Sequence, residues 1–254
     1  MAMDSHALFE LSWPTVERAA KSNRGILIPI GATEQHGPNG LIGTDFLIPQ
    51  AVAAAACERS GHLLGPTLSL GASDHHLGFP GTVSLRPETL QAVLQDLIRS
   101  IARWPLPWIY FLNGHGGNDE SLEQVRDAWN QEEPAHPTRV HCRSWWTFEE
   151  IEALDQKLFG DRNGCHATPS EISQTMFLCP GKVGTAPQGV AADYPDEWPL
   201  SPEKYRRLYP DGRIGSAPEL ASSQAGEQLF QTCVRGVEQD LERIISEGSL
   251  LPAS

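Results

Sequence analysis

Two hydrophobic rhythms alternate along the first two thirds of the chain. Short apolar runs occur in GILIPIG (25–31) and the WIYFL of PWIYFLNGHGGN (107–118), with more mixed segments in HLLGPTLSLG (62–71) and TRVHCRSWW (138–146). All four predict strands, and GILIPIG one buried on both sides. Between them lie segments of helical character. FLIPQAVAAAACERSG (46–61) is alanine-rich and stops at Gly61, a residue suited to a helix end. Residues 87–104 open with Pro87 and Glu88 and space Leu90, Val93, Leu94, Leu97, Ile98 and Ile101 along one helical face. SLEQVRDAWNQ and 219–247 complete the predicted helices, and a Pro-rich stretch, 180–218, reads as a surface excursion.

Strand and helix units that alternate in this way predict a single α/β domain over residues 1–254, with a mostly parallel sheet and helices on both faces. In such sheets ligands bind beyond the carboxyl ends of the strands. Three polar loops follow predicted strands here, so they are expected to converge at one edge.

Composition narrows the partner. A net charge of −13, with 19 Lys and Arg spread thinly, disfavours nucleic acid and anionic membrane. No run approaches the roughly 18 apolar residues of a membrane helix, and MAMDSHALFELSW lacks the features of a secretory signal. A cytoplasmic protein acting on a small molecule is the expectation. Five scattered cysteines without a CxxC pair predict free thiols rather than disulfides or a thiolate zinc site.

Chemistry concentrates in the loops. PIGATEQHGPNGLIGTD (29–45) carries Glu34 and His36 at i, i+2, which face the same way in an extended segment, and returns to Asp45. This oxygen and nitrogen set suits zinc, manganese or iron; Asp45 is equally placed to N-cap the following helix. NGHGGN (113–118) brackets His115 with glycines that permit close approach of an ion, although a plain βα turn capped by Asn118 gives the same pattern. Phosphate binding is disfavoured because no lysine completes a phosphate loop. In CHATPSEIS (165–173), Thr168, Pro169 and Glu171 fit a capping box; Glu171 as a metal ligand beside a free His166 is the alternative.

Taken together, PIGATEQHGPNGLIGTD, HLGFPGTVSL, NGHGGN and HATPSE resemble, in this order, the creatininase (creatinine amidohydrolase) family, in its NGHGGN-type branch. The resemblance implies a three-layer α/β/α sandwich and two divalent metal ions, zinc with zinc, manganese or iron. Glu34, His36, Asp45 and His115 match metal ligands, with Asp45 bridging. Creatininases proper place a glutamate where this chain has Gly117, which nominates Glu171 as the last carboxylate. The resemblance also implies hydrolysis of non-peptide amides or formamides, with peptide cleavage in some members, and a homo-oligomer, commonly a hexamer.

The mechanism expected from such a site is attack by a hydroxide shared between two metals on a polarised amide carbonyl. His166 is the candidate proton donor to the leaving nitrogen, with His76 second. Trp145 and Trp146 are candidate pocket walls, and Gly81 and Thr82 candidate shapers of the same cleft. Ester or peptide cleavage at the same site, or a non-enzymatic ligand-binding role, are the competing readings. His75 stands where relatives often carry an acidic residue.

Overall fold

The computed structural model describes residues 6–22, 24–132, 136–188, 195–196 and 198–248. Among the described residues four strands form one sheet: β1 (Ile26–Ile30), β2 (Leu63–Leu64), β3 (Trp108–Asn113) and β4 (Arg139–Ser144). Their order is β2-β1-β3-β4, and every pairing is parallel. All residues of β1 and β3 are buried, as central strands covered on both faces must be.

Alternate residues of these strands feed two cores, because successive side chains leave a strand on opposite faces. Leu27, Trp108, Tyr110 and Leu112 pack with α2 (Thr44–Ser60) and α8 (Ser223–Gly248), through residues such as Val52, Leu229 and Val237. Ile26, Ile28, Ile30, Ile109 and Phe111 pack against α1 (Trp13–Ala20), α3 (Pro87–Ile101) and α4 (Asp119–Glu132). The result is a three-layer α/β/α sandwich. On the α2–α8 side lie α5 (Glu149–Leu158) and α6 (Pro169–Leu178), while α7 (Pro202–Leu208) packs its Tyr205 with Phe79, Leu200, Tyr209 and Ile214 in a separate small core.

Several boundaries differ from the pattern-based expectation. The run 62–71 pairs as strand only at Leu63–Leu64, then continues through isolated bridges Ile30↔Leu68 and Gly71↔Ser84. Pro66 cannot donate to a ladder, so the strand breaks there. The closing helix starts at Ser223 rather than at residue 219, and Pro218–Leu220 forms a separate tight turn. Most consequential is α2, which starts two residues early, at Thr44, with Gly43 as its cap. Asp45 is therefore inside the first turn and is not the N-cap. Residues 189–194 and 197 of the Pro-rich excursion lie outside the described residues. All five cysteines are free, and among the described residues no helix is long and apolar enough to cross a membrane.

One feature of α2 shapes the sheet edge. Pro49, inside the helix, has no N–H to bond the carbonyl of Asp45 four residues earlier. Loops from β1 and β3 pack onto that carbonyl: a Cβ on Gly31 would lie 2.2 Å from it, and one on Gly114 only 2.0 Å. Glycine at both positions lets the two loops close on the start of α2.

Candidate metal centre

The loop after β1 folds on itself, with Glu34 N–H donating to Ile42 O at 2.9 Å and Gly40 N–H to His36 O at 3.0 Å. Glu34 and His36 are thereby only 1% exposed, and Asp45 2%. Asp45 sits where the positive end of the α2 dipole favours a carboxylate. From β3, Asn113 accepts the His115 N–H at 3.1 Å, which fixes the start of the third loop. Asn118 does not act as a simple cap. It donates to Gly31 O at 3.0 Å and accepts from Ala72 N at 3.1 Å, tying the three loops together.

Asp45 lies between two histidines: Oδ1 is 2.8 Å from His36 Nε2 and Oδ2 is 3.1 Å from His115 Nδ1. Glu34 Oε2 is 3.5 Å from His115 Nδ1, and Glu171 Oε1 is 3.7 Å from His36 Nε2. Among the described residues, three groups have potential ligand atoms within 4.8 Å of one another: Glu34–Asp45–His115, His36–Asp45–Glu171 and Glu34–His36–His166. Asp45 is common to the first two.

These close contacts are not a closed hydrogen-bond network. His36 Nδ1 lies 3.3 Å from Glu34 O, and His115 Nε2 lies 2.9 Å from Ala72 O. With those nitrogens donating to carbonyls, the inward nitrogens are left to face carboxylates. Glu34 Oε2, His36 Nε2 and Asp45 Oδ2 are buried without a hydrogen-bond partner. Buried polar atoms of both kinds converging without mutual pairing are what a cation satisfies, and the donor set suits zinc, manganese or iron.

Protonation follows the same logic. Burial pushes the Glu34 carboxyl up to about 7. Burial alone would lower His115, but Glu34 and Asp45 carry it up to about 10. His36 is likewise held above its ordinary value by Asp45 and Glu171 against the effect of burial. Asp45 resists burial and lies well below the usual carboxylate range because His36 and His115 face it. Without a cation, protons on the two imidazoles supply the positive charge that the carboxylates demand.

Glu171 forms the capping box and also faces the candidate centre. Its Oε2 accepts the Thr168 N–H at 2.8 Å while Thr168 Oγ1 accepts the Glu171 N–H at 3.1 Å, a complete capping box at the start of α6. Its Oε1 is the atom that faces His36. A side chain at Gly117 has no room, since a Cβ there would lie 2.2 Å from Ala72 O and 2.4 Å from His115 Nε2.

A cavity of about 680 Å³ opens onto this centre, lined among others by His75, His76, Trp145, Trp146, His166 and Trp198. His166 Nδ1 is 3.6 Å from Glu34 Oε1, and His76 Nε2 is 3.4 Å from the same oxygen. Burial, reinforced by neighbouring imidazoles, lowers the pKa of both. Between His166 and Thr168, Ala167 takes φ +52°, a strained backbone for a non-glycine residue that costs about 1–3 kcal/mol. Trp145 is buried, with its ring edge-on to Trp146. Gly81 and Thr82 do not line the cavity. Gly81 makes a tight turn at φ +100°, and Thr82 Oγ1 accepts the Gln35 N–H at 3.1 Å.

The sequence reading overlooked Trp198, which lines the cavity, and Gln35 and Tyr205, which contact His76. Gln35 stood inside the ligand loop, where strict alternation assigned it to the other side. Trp198 and Tyr205 belong to the Pro-rich excursion, whose return to the site no local pattern announces.

The family model described as creatinine amidohydrolase matches residues 9–241. A creatinine amidohydrolase of Pseudomonas putida is 31% identical over 251 residues, covering 90% of this chain and 93% of its own. A mycofactocin precursor peptide peptidase of Mycolicibacterium smegmatis is 43% identical over 103 residues, which is 38% of this chain and 41% of its own. Among solved structures, a creatininase variant of the Zn-Zn type has a TM-score of 0.83 at 28% identity, with coverage of 95% of this chain and 98% of that one.

Proposed function

The chain belongs to the creatininase family of metal-dependent hydrolases acting on C–N bonds, and we infer that it cleaves a non-peptide amide, cyclic or formamide-like, in a small molecule. The observation that carries this reading is the set of buried, unpaired atoms Glu34 Oε2, His36 Nε2 and Asp45 Oδ2 converging at the sheet edge. Glu34, Asp45 and His115 would hold one divalent ion, and His36, Asp45 and Glu171 the other. Zinc with zinc, manganese or iron fits these donors, and such ions lower the pKa of water from 15.7 toward about 7 and polarise a carbonyl.

The chain's own residues supply the rest. Asp45, whose two oxygens face His36 and His115, would contribute to holding both ions. His166, at the cavity wall, takes the proton released by the attacking water and passes it to the leaving nitrogen, so that amide and water become carboxylic acid and amine. Trp146 and Trp145 present aromatic surface to a flat substrate, and His76 supports Glu34. The cavity volume lies within the range of small-molecule sites. No lysine or arginine lines the cavity among the described residues, which disfavours an anionic substrate.

Peptide cleavage is the second reading, favoured by the partial match to a peptide peptidase. Product analysis with the metal-loaded protein separates the two. Ammonia, formate or a ring-opened acid supports amide chemistry, whereas release of an amino acid from a peptide supports the alternative. A homo-hexamer is the assembly the family resemblance implies, and Phe9 and Trp13, 80% and 76% exposed, offer apolar surface for it. Light scattering reads the number of chains.

A further inference from the structure

Gln35 lies between two proposed ligands, yet its side chain turns toward two histidines. Its amide oxygen accepts the Gly37 N–H at 2.8 Å, which fixes the orientation of the group. The NH2 end has three neighbours: His76 Nδ1 at 2.9 Å, His166 Nε2 at 2.9 Å and Gly212 O at 3.1 Å. An amide carries only two N–H donors. Gly212 O also accepts the Tyr205 hydroxyl at 2.8 Å, so the choice of tautomer falls to the other partners of His166.

His166 Nε2 has another partner, the backbone carbonyl of Gln35 at 2.9 Å. A carbonyl only accepts. With the proton on His166 Nε2, that nitrogen donates to Gln35 O, and both amide hydrogens are free for His76 Nδ1 and Gly212 O. The reverse assignment leaves Gln35 O, in a residue 4% exposed, without a donor. It also sends a His166 Nδ1–H toward Glu34 Oε1 at 3.6 Å, too far for a hydrogen bond. Because His76 Nδ1 accepts from Gln35, its proton resides on Nε2, which faces Glu34 Oε1 at 3.4 Å.

We propose that Gln35 is a positioning residue that keeps His76 and His166 in the same Nε2–H tautomer but presents them by opposite edges. His76 turns its N–H edge toward Glu34 Oε1 at 3.4 Å. His166 offers its bare Nδ1 to the reaction centre, where it can receive a proton. The effect on rate rests on the proton-carrying role given to His166 above. The tautomers themselves are measurable without substrate.

The test is long-range ¹H–¹⁵N correlation on zinc-loaded protein labelled at histidine. The expected result is a pyrrole-like Nε2 and a pyridine-like Nδ1 in both rings. A pyrrole-like Nδ1 in either ring overturns the assignment. Gln35→Glu replaces the donor to His76 with an acceptor, so the His76 proton should move to Nδ1. With zinc content and KM retained, kcat should fall about 10–100-fold, the size expected for an outer-shell partner. Gln35→Met removes the donor without adding charge and should abolish the single His76 tautomer. Unmodified tautomers in either folded variant overturn the proposal. Correct tautomers with no amide hydrolysis would instead fault the proposed reaction.

Discussion

Glu171 faces His36 with Oε1 at 3.7 Å while its Oε2 holds the Thr168 N–H at 2.8 Å, so one carboxylate both starts a helix and borders the candidate metal group. Glutamine also completes a capping box. Glu171→Gln should therefore retain stability to within about 1 kcal/mol while losing one of two bound metals and most activity. Thr168→Ala should show the opposite balance, a loss of about 1 kcal/mol from the missing cap with metal stoichiometry intact. Metal content measured beside thermal melting separates the roles; two metals in Glu171→Gln would reduce this residue to a cap.

Removal of the His166 imidazole tests its proton transfer. His166→Ala should keep two metals and the fold, and lower kcat by about 10²–10⁴-fold, the usual contribution of a positioned acid–base group. Amides whose leaving nitrogen is already weakly basic should suffer less. Steady-state kinetics across such a series checks this, and equal losses for good and poor leaving groups would contradict the role.

Metal loading should release protons. His115, carried up to about 10, and His36, also raised, hold protons in the metal-free protein that must leave before either nitrogen binds a cation. Affinity should therefore tighten as pH rises through neutrality. Calorimetry in buffers of different ionisation enthalpy should record net proton release at pH 7, and a result independent of buffer would contradict it.

The same shifts set the sign for stability. His115 binds its proton more tightly folded, at about 10 against 6.5 unfolded, so its contribution is present below 6.5 and is lost as pH rises through 10. Asp45, shifted down, contributes above its ordinary value and is lost only in acid. Metal-free protein should thus lose melting temperature between about pH 7 and 10, whereas metal-loaded protein, its imidazoles already deprotonated, should not.

The parts of this site legible in the sequence were those set by local chemistry. Glu34, His36 and His115 lie on loops that leave parallel strands, with Asp45 in the helical turn that ends the first of them, and the topology of such a sheet leaves those loops little choice but to meet. What pattern could not resolve was set at long range. Glu171 looked like a choice between cap and ligand because sequence cannot assign its two oxygens separately. Asp45 looked like a helix cap because the two-residue extension of α2 depends on how loops from β1 and β3 pack against it. Gly81 and Thr82 read as cleft residues, yet Thr82 supports the backbone of Gln35 across 47 residues of chain. Gln35 itself gains meaning only when His76, His166 and Gly212 surround it.

The central claim is that one aspartate is shared by two cations. Anomalous-difference maps collected at the zinc, manganese and iron edges, on crystals grown with each metal, test it most directly. Two peaks are expected, one among Glu34, Asp45 and His115 and the other among His36, Asp45 and Glu171. A single peak, or none beside Asp45 after soaking, would contradict the account.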